Sequence, residues 1–452
     1  MQGLSRRNFL AGVGAATAAP AAAAPRPVPQ QAGPPASGNV DAVIVGAGAA
    51  GIAAARRLAA AGKRFALLEA SEQVGGRCLT DTTTFGVPYD RGAHWIYAAD
   101  LNPIARLAVQ TGVELYPAPA GQRMRLGRRY AREGEMEDFL ATLVRANTAI
   151  ADSARRADAA AAQVLPKDLG DWRSTIDFLL GPYACGKDLA EVSAVDLTRS
   201  PERENSVFCR AGFGALLAKL VPPQTVQLAT PVTRIAWGSW VVQVETARGQ
   251  FQARAVIVTA STNAVTSGKL RFAPDLPKRH LDAFAKLRLG SRERVALELA
   301  GNPLGLRADE LVFEKSENKQ TAAIFANISG SSVCTIDVGG SFGRDLAGKG
   351  DAALIDFAIS WLGKLYGSDI KAAVNRRLAS RWSTAPWVLG AMSVAAPGAQ
   401  SARKIIMEPL GNRIFFAGEA AHETFWGTVG GAWESGERAA DAVLKLLGGR
   451  RS

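Results

Sequence analysis

Cysteine and histidine are scarce in this chain, four and three respectively in 452 residues. Cys78, Cys185, Cys209 and Cys334 are widely spaced and form no Cys-x-x-Cys pair. That argues against a disulfide scaffold, although one bridge stays open. No two histidines have metal-ligand spacing, so no metal is expected. Beyond the N-terminal segment, nothing approaches the roughly 18 consecutive apolar residues of a membrane span. Aromatic residues are only 7% of the chain, and the net charge of +12 is spread along it rather than gathered in a basic stripe. That argues against nucleic acid as a partner. A basic surface also fails to attract polycations at long range, which weighs against spermine-like substrates unless the entrance is locally acidic.

What is present is a chain that is 48% hydrophobic, enough for two domains with sizeable cores. It opens with Ser5-Arg6-Arg7-Asn8-Phe9-Leu10 and a mildly apolar Ala/Gly run to about Ala24. This pattern predicts a twin-arginine export signal, cleaved around Ala19 to Ala24, with the Tat machinery as partner and a periplasmic or secreted location. Pro25 to Gly38 reads as a flexible lead-in, so residues 1–38 are set apart from the fold.

The strongest local signal follows. Val40 to Val45 is a β-branched apolar run expected to form a doubly buried strand. Gly46, Gly48 and Gly51 have G-x-G-x-x-G spacing, and Ala49 to Ala61 predicts a helix whose free N–H groups suit a phosphate. Ala50 lies in its first turn. A second strand, Arg64 to Leu68, leads into Glu69 and Ala70, where an acid is placed to bind ribose hydroxyls. A small-residue turn between packed elements is the bland alternative. Gly75-Gly76-Arg77 adds a close-passing loop and a charged donor, which an extended FAD needs and a nicotinamide does not. Near the other end, Arg413 to Phe416 predicts a buried strand running into Ala417, Gly418 and Glu419. A helix over Gly431 to Leu447 follows, its N-terminus led by Gly427 to Gly430. Glu419 reads as a cofactor-binding acid or, alternatively, a helix cap.

These blocks resemble the flavin-containing amine oxidase family, the monoamine and polyamine oxidases and their relatives. Gly46 to Gly51 with Glu69 resembles its dinucleotide fingerprint, and Gly75-Gly76-Arg77 its arginine motif. Tyr89-Asp90-Arg91-Gly92-Ala93-His94-Trp95-Ile96, followed by Asn102-Pro103, resembles the stretch that passes the flavin ring, in its polyamine oxidase form. Phe416 to Glu419, Gly427 to Ala432 and Gly436 to Ala440 resemble the C-terminal flavin block.

The resemblance implies an α/β fold: an FAD-binding Rossmann-like (GR2-type) domain interleaved with an α+β substrate domain. The FAD domain is expected over 39–115, 203–272 and 403–450, and the substrate domain over 116–202 and 273–402. Non-covalent FAD is implied, on Gly46, Gly48, Ala50, Gly51, Glu69, Ala70, Gly75, Gly76, Arg77, Gly92, Ala93, His94, Trp95, Val232, Gly418, Glu419, Thr428 and Val429. The family's lysine near flavin N5 falls at Arg294, within Leu289 to Leu297. Arginine keeps the charge but not the compact ammonium, which makes oxygen a poor acceptor and a periplasmic electron carrier a plausible one. The flavin-linking cysteine and paired tyrosines of monoamine oxidases fall at Ala391, Met392 and Thr428. Aromatic walls must then come from Trp95, Trp387, Phe425 or Trp426, with Tyr97 where polyamine oxidases tend to carry histidine. Arg294, His94 and Trp95 are the catalytic candidates.

The implied reaction is oxidation of a small amine. Three alternatives stay open: an L-amino acid oxidase, a flavin-dependent isoprenoid desaturase and a non-catalytic FAD-bearing periplasmic accessory protein. The first needs an arginine facing the substrate carboxylate, with Arg203, Arg210 and Arg381 as candidates.

Overall fold

The computed structural model describes residues 37–448 except 120, 201–204 and 224. The twin-arginine segment and Arg203 lie outside the described residues.

The apolar run around Val43 forms the strand Gly38–Val45 at the centre of an eight-stranded sheet. It pairs in parallel with Gly249–Val258 on one side and Phe65–Leu68 on the other. The short strand Val226–Gln227 extends the parallel set beyond Phe65–Leu68, and Ile414–Phe416 pairs in parallel with the far end of Gly249–Val258. Strands buried on both faces need helices on both, and both are present. Ala42 and Ile44 face the helices Ala49–Ala60 and Val429–Gly448. Val43 and Val45 face a second core that includes Phe284 of the helix Lys278–Lys286 and Ile406 of Ala402–Met407. The antiparallel strands Val232–Ala236 and Val242–Thr246 widen one edge.

A seven-stranded sheet is built from later sequence. Its order is Val374–Ala379, Arg292–Leu299, Val333–Gly339, Ala323–Ala326, Glu310–Glu314, Arg123–Leu126 and Arg129–Tyr130. Val295, Leu297, Ile336 and Val338 pack against the helix Asp351–Tyr366. By strand alternation the opposite face carries Arg292, Arg294, Ala296 and Asp337. A helical layer led by Glu133–Ala154 covers the remaining edge.

Sequence patterning predicts a strand over Val226 to Ala236 and a helix over Glu135 to Ala162, and the structure differs at both. The run Val226 to Ala236 is two strands on opposite sides of Gly38–Val45, Val226–Gln227 at one edge and Val232–Ala236 beside the strand Arg271–Ala273 on the other side, because Ala229 turns in the left-handed region at φ 48° and Pro231 follows. The long helix predicted through Ala162 stops at Ala154. Asp158 is drawn out of helical geometry to accept from Ser193 Oγ (2.7 Å) and the Val195 and Gly398 amides. All four cysteines are free and buried. Among the described residues, no helix is long and apolar enough to cross a membrane.

The helices Ala49–Ala60 and Val429–Gly448 meet through Gly436, where an added Cβ would lie 2.0 Å from the Ala50 carbonyl oxygen. Gly363, within the helix Asp351–Tyr366, has no atom within 4 Å of that position. Gly436→Ala is therefore expected to lower stability by about 3 kcal/mol, overlap outweighing helix propensity. Gly363→Ala is expected to raise stability by roughly 0.5–1 kcal/mol. Urea unfolding of the two variants checks the contrast, and equal effects would refute the close-packed crossing.

Candidate cofactor and active site

One cavity of about 730 Å³ is lined by both sheets. It holds Gly46, Gly48, Ala50, Glu69, Ala70, Gly75, Gly76, Arg77 and Val232 from the first sheet's loops, with Gly418, Glu419, Thr428 and Val429 from the C-terminal block. Gly92, Ala93, His94, Trp95, Tyr97, Arg294, Trp387 and Met392 complete the predicted set. Gly51, Phe425 and Trp426 do not line it. A Cβ on Gly51 would sit 1.8 Å from the Gly46 carbonyl oxygen, so that glycine serves packing of helix on strand. Trp426 is 1% exposed within the helical layer, its indole donating to the Asp196 carbonyl at 3.3 Å. Phe425 is buried against Gly430 and Gly431.

The glycines form a cradle that side chains would fill. Gly46 has φ +102°, and a Cβ there would meet Thr259 Oγ1 at 2.5 Å. Gly75 has φ +107° and donates its N–H to the Ala47 carbonyl at 2.9 Å. The two glycine loops are thereby clamped side by side. Gly48 caps the helix Ala49–Ala60 without a side-chain hydrogen bond, so the first N–H groups stay open to the cavity. Uncapped helical N–H groups beside bare backbone suit a pyrophosphate. Glu69 Oε2 accepts from the Ala47 amide at 2.7 Å and Oε1 from the Ser71 amide at 2.9 Å, which fixes the acid beside the turn.

Glu419 is 7% exposed and ties the chain's two ends together. Its carboxylate accepts from Arg77 Nη1 (2.9 Å), Ser393 Oγ (2.7 Å) and the Gly427 amide (3.0 Å). Ser393 in turn accepts from Arg403, which forms a fully buried pair with Asp196 at 2.7 Å. Burial would raise the Glu419 carboxyl, but the Arg77 charge, the Ser393 bond and Arg403 hold it below the ordinary carboxylate range. Thr428 caps the last helix: its hydroxyl accepts from the Gly431 amide at 2.9 Å and donates to the Phe425 carbonyl at 2.7 Å.

The second sheet supplies a charged wall. Arg294 and Asp337 are directly opposed across neighbouring strands, with Arg292 two residues along. Arg294 Nε and Nη2 donate to Asp337 at 2.8 and 3.0 Å, and Nη1 donates to the Asp90 and Gly92 carbonyls at 3.1 and 2.9 Å. Arg292 donates to Asp337 Oδ2 from Nη2 at 2.7 Å and to the Tyr183 carbonyl at 2.8 Å. Burial would raise Asp337, but Arg294 and Arg292 outweigh it and hold the carboxyl at about 2. Both guanidiniums stay charged because Asp337 more than offsets their own burial.

His94 is 5% exposed and has Nδ1 2.7 Å from Asp90 Oδ2. Asp90 also accepts from the Phe213 amide at 3.1 Å, so the carboxylate is the acceptor and Nδ1 the donor. Nε2 is buried and has no hydrogen-bond partner among the described residues. Trp95 lies parallel to Tyr97 at 6.1 Å and edge-on to Phe208 at 4.7 Å.

Sequence reasoning missed Arg292, Asp337 and Trp382, all of which line the cavity. Alternation on the strand carrying Arg294 places Arg292 on the same face and was the available signal. Asp337 lies in an otherwise apolar strand and is paired only in three dimensions. Trp382 is set by the buried Glu293, which accepts its amide at 3.0 Å, while its indole donates to the Arg91 carbonyl at 3.0 Å. Arg210 pairs with Glu114 at 3.2 Å and does not line the cavity. Arg381 lines the cavity but pairs with Asp351 at 2.6 Å, 69% exposed.

Glu419→Gln is expected to lower stability by about 3 kcal/mol at neutral pH, since it leaves Arg77 with a neutral partner in a buried site. A depressed folded pKa gives stability that is present above the unfolded value of about 4.3 and lost as pH falls. The gap between wild type and variant therefore narrows as pH drops below about 4. Urea unfolding at pH 7 and pH 3.5 checks this, and a pH-independent gap would refute the ion pair as its source.

Residues 49–444 match the family described as flavin containing amine oxidoreductase. Lysine-specific histone demethylase 2 of Homo sapiens is 27% identical over 457 residues, covering 90% of this chain and 53% of that protein. Polyamine oxidase 4 of Oryza sativa subsp. japonica is 25% identical over 440 residues, covering 90% of this chain and 88% of that one. The chain thus spans about half the length of the demethylase and most of the polyamine oxidase. Cyclohexylamine oxidase from Brevibacterium oxydans IH-35A superposes with a TM-score of 0.74 at 20% identity, covering 90% of this chain and 99% of that one, which shows the shared fold. The chain therefore belongs to the flavin-containing amine oxidoreductase family, with FAD as its non-covalently held cofactor.

Proposed function

We propose that the protein oxidises a small amine at the carbon bearing nitrogen. The observation that carries this reading is the single cavity joining the glycine cradle to the wall around Arg294, His94 and Trp95. Gly46, Gly48, Gly75 and Gly76 would hold the pyrophosphate, Glu69 a ribose, Val232 the adenine, Glu419 the ribityl or phosphate region, and Thr428 with Val429 the isoalloxazine end. FAD supplies a two-electron acceptor: hydride leaves the amine α-carbon, and the imine so formed takes up water to give a carbonyl compound and the released amine or ammonia.

The chain's own residues bind, orient and dry the site. Trp95, Tyr97, Trp382 and Met392 wall off water, which strengthens every electrostatic term inside. His94, fixed through Nδ1 on Asp90, offers Nε2 as an acceptor for an amine N–H. Arg294 is held by four of its five N–H groups on protein acceptors. It has neither the freedom nor the compact ammonium of a lysine at that place. This supports slow reoxidation by oxygen and a periplasmic carrier as the working electron acceptor. The twin-arginine motif at Ser5 to Leu10 supports export of the folded, FAD-loaded protein to the periplasm.

The test is anaerobic bleaching of the visible flavin absorbance with a panel of monoamines, polyamines and L-amino acids, followed by admission of air. Bleaching by one class, with slow recolouring, is expected. Arg294→Lys is expected to recolour at least about tenfold faster, one decade in rate corresponding to roughly 1.4 kcal/mol of barrier. Fast recolouring of the wild type with peroxide would make the protein an oxidase. No bleaching by any compound would sink the amine reading and leave an FAD-bearing accessory protein.

A further inference from the structure

The wall carrying Arg294 has more positive charge than its own structure uses. Arg292, Arg294 and Asp337 sum to one net positive charge, and all three line the cavity. Of ten guanidinium N–H groups, seven are spent on Asp337 and on the carbonyls of Tyr183, Asp90 and Gly92. Arg292 spends only three, which leaves two donors, one on each Nη. Its planar group lies over the Tyr183 ring at 4.3 Å, with Tyr183 closing the π-helical turn Leu179–Tyr183. A guanidinium seated over an aromatic ring, with edges pinned by a carboxylate and a carbonyl, is a preorganised fork for a planar anion.

We propose that Arg292 anchors a carboxylate of the substrate, so that the amine oxidised is an aminocarboxylate rather than a polyamine. This rests on the amine-oxidising reading above and adds the substrate's second group. The net charge decides the sign: a second ammonium at this wall would be repelled, and an anion attracted. Gly92 is linked to Arg292 by three consecutive hydrogen bonds through Arg294 and Asp337, so Arg292 belongs to the same continuous wall of the cavity as Arg294 and Gly92. Arg210 does not line the cavity, and the Arg381 side chain is 69% exposed, where solvent screens its charge.

Two measurements on the FAD-loaded protein separate the carboxylate site from the chemistry. In the first, benzoate and butyrate are titrated against the visible flavin spectrum, with benzamide and butyramide as neutral matches. The acids are expected to bind at least about tenfold more tightly than the amides, an ordinary effect for a charge-assisted fork. Arg292→Gln is expected to bring that ratio close to one, and Arg292→Lys to leave an intermediate ratio because charge survives without the planar fork. Equal binding of acid and amide by the wild type, or an unchanged ratio in Arg292→Gln, overturns the proposal. Should Arg292→Gln lose its flavin, the wild-type ratio and Arg292→Lys decide alone. In the second, anaerobic bleaching compares amino acids with the amines left by removing their carboxyl groups. Faster bleaching by the amino acids supports the anchor, and preference for the plain amines overturns it while leaving amine oxidation intact. Acid-selective binding with no bleaching by either supports the anchor and sinks the amine-oxidising reading.

Discussion

The buried carboxylate of Glu419 is the interaction on which the rest of the site depends. It sits where Arg77, from the first third of the chain, meets Ser393 and Gly427 from the last. A carboxylate in such a place is tolerable only if cations and N–H donors surround it. Its partners come from three separate segments, so its burial forces those segments together. Through Ser393 the tie extends to Arg403 and to Asp196 under the helical layer. The two glycine loops can then clamp side by side, and the last helix can be aimed at the cavity.

The seven-stranded sheet meets this assembly through a second shared acid. Asp337 divides its two oxygens between Arg292 and Arg294, and Arg294 reaches across to the Asp90 and Gly92 carbonyls. One acid between two bases leaves charge over, whereas Glu419 is matched within its own network. The cavity therefore has a closed, structural ion pair near the cradle and an open, chemical one at the wall. Glu293, on the same strand but the other face, spends its carboxylate on Ser380, Trp382 and Ser383 and so shapes the aromatic side of that wall.

What the sequence made legible was whatever acts through backbone. Gly46, Gly75 and Gly76 announce themselves because their left-handed backbone favours glycine, and Gly48 by its place in the spacing. The α/β class was legible for the same reason, since buried parallel strands have an unmistakable apolar run. Side chains that act through distant partners were not legible. Asp337 is one acid among apolar neighbours until Arg294 is folded opposite it. Phe425 and Trp426 read as pocket aromatics because they stand beside the flavin block, yet the same composition serves a core. The helix Glu133–Ala154 ends early because Asp158 has a better use as an acceptor for distant amides than as a helical residue.

The pairing order of the eight-stranded sheet has a consequence for how the protein is made. The strand Gly38–Val45 is synthesised first, but its neighbour Gly249–Val258 emerges two hundred residues later and Ile414–Phe416 later still. Parallel pairing over such separations has a large loop-closure entropy and is slow. Until Glu419 and the helix behind it leave the ribosome, Arg77 has no counter-charge and the cradle has only one wall. The two ends of the cradle therefore come together only when the C-terminal block, with Glu419, Thr428 and Val429, is in place.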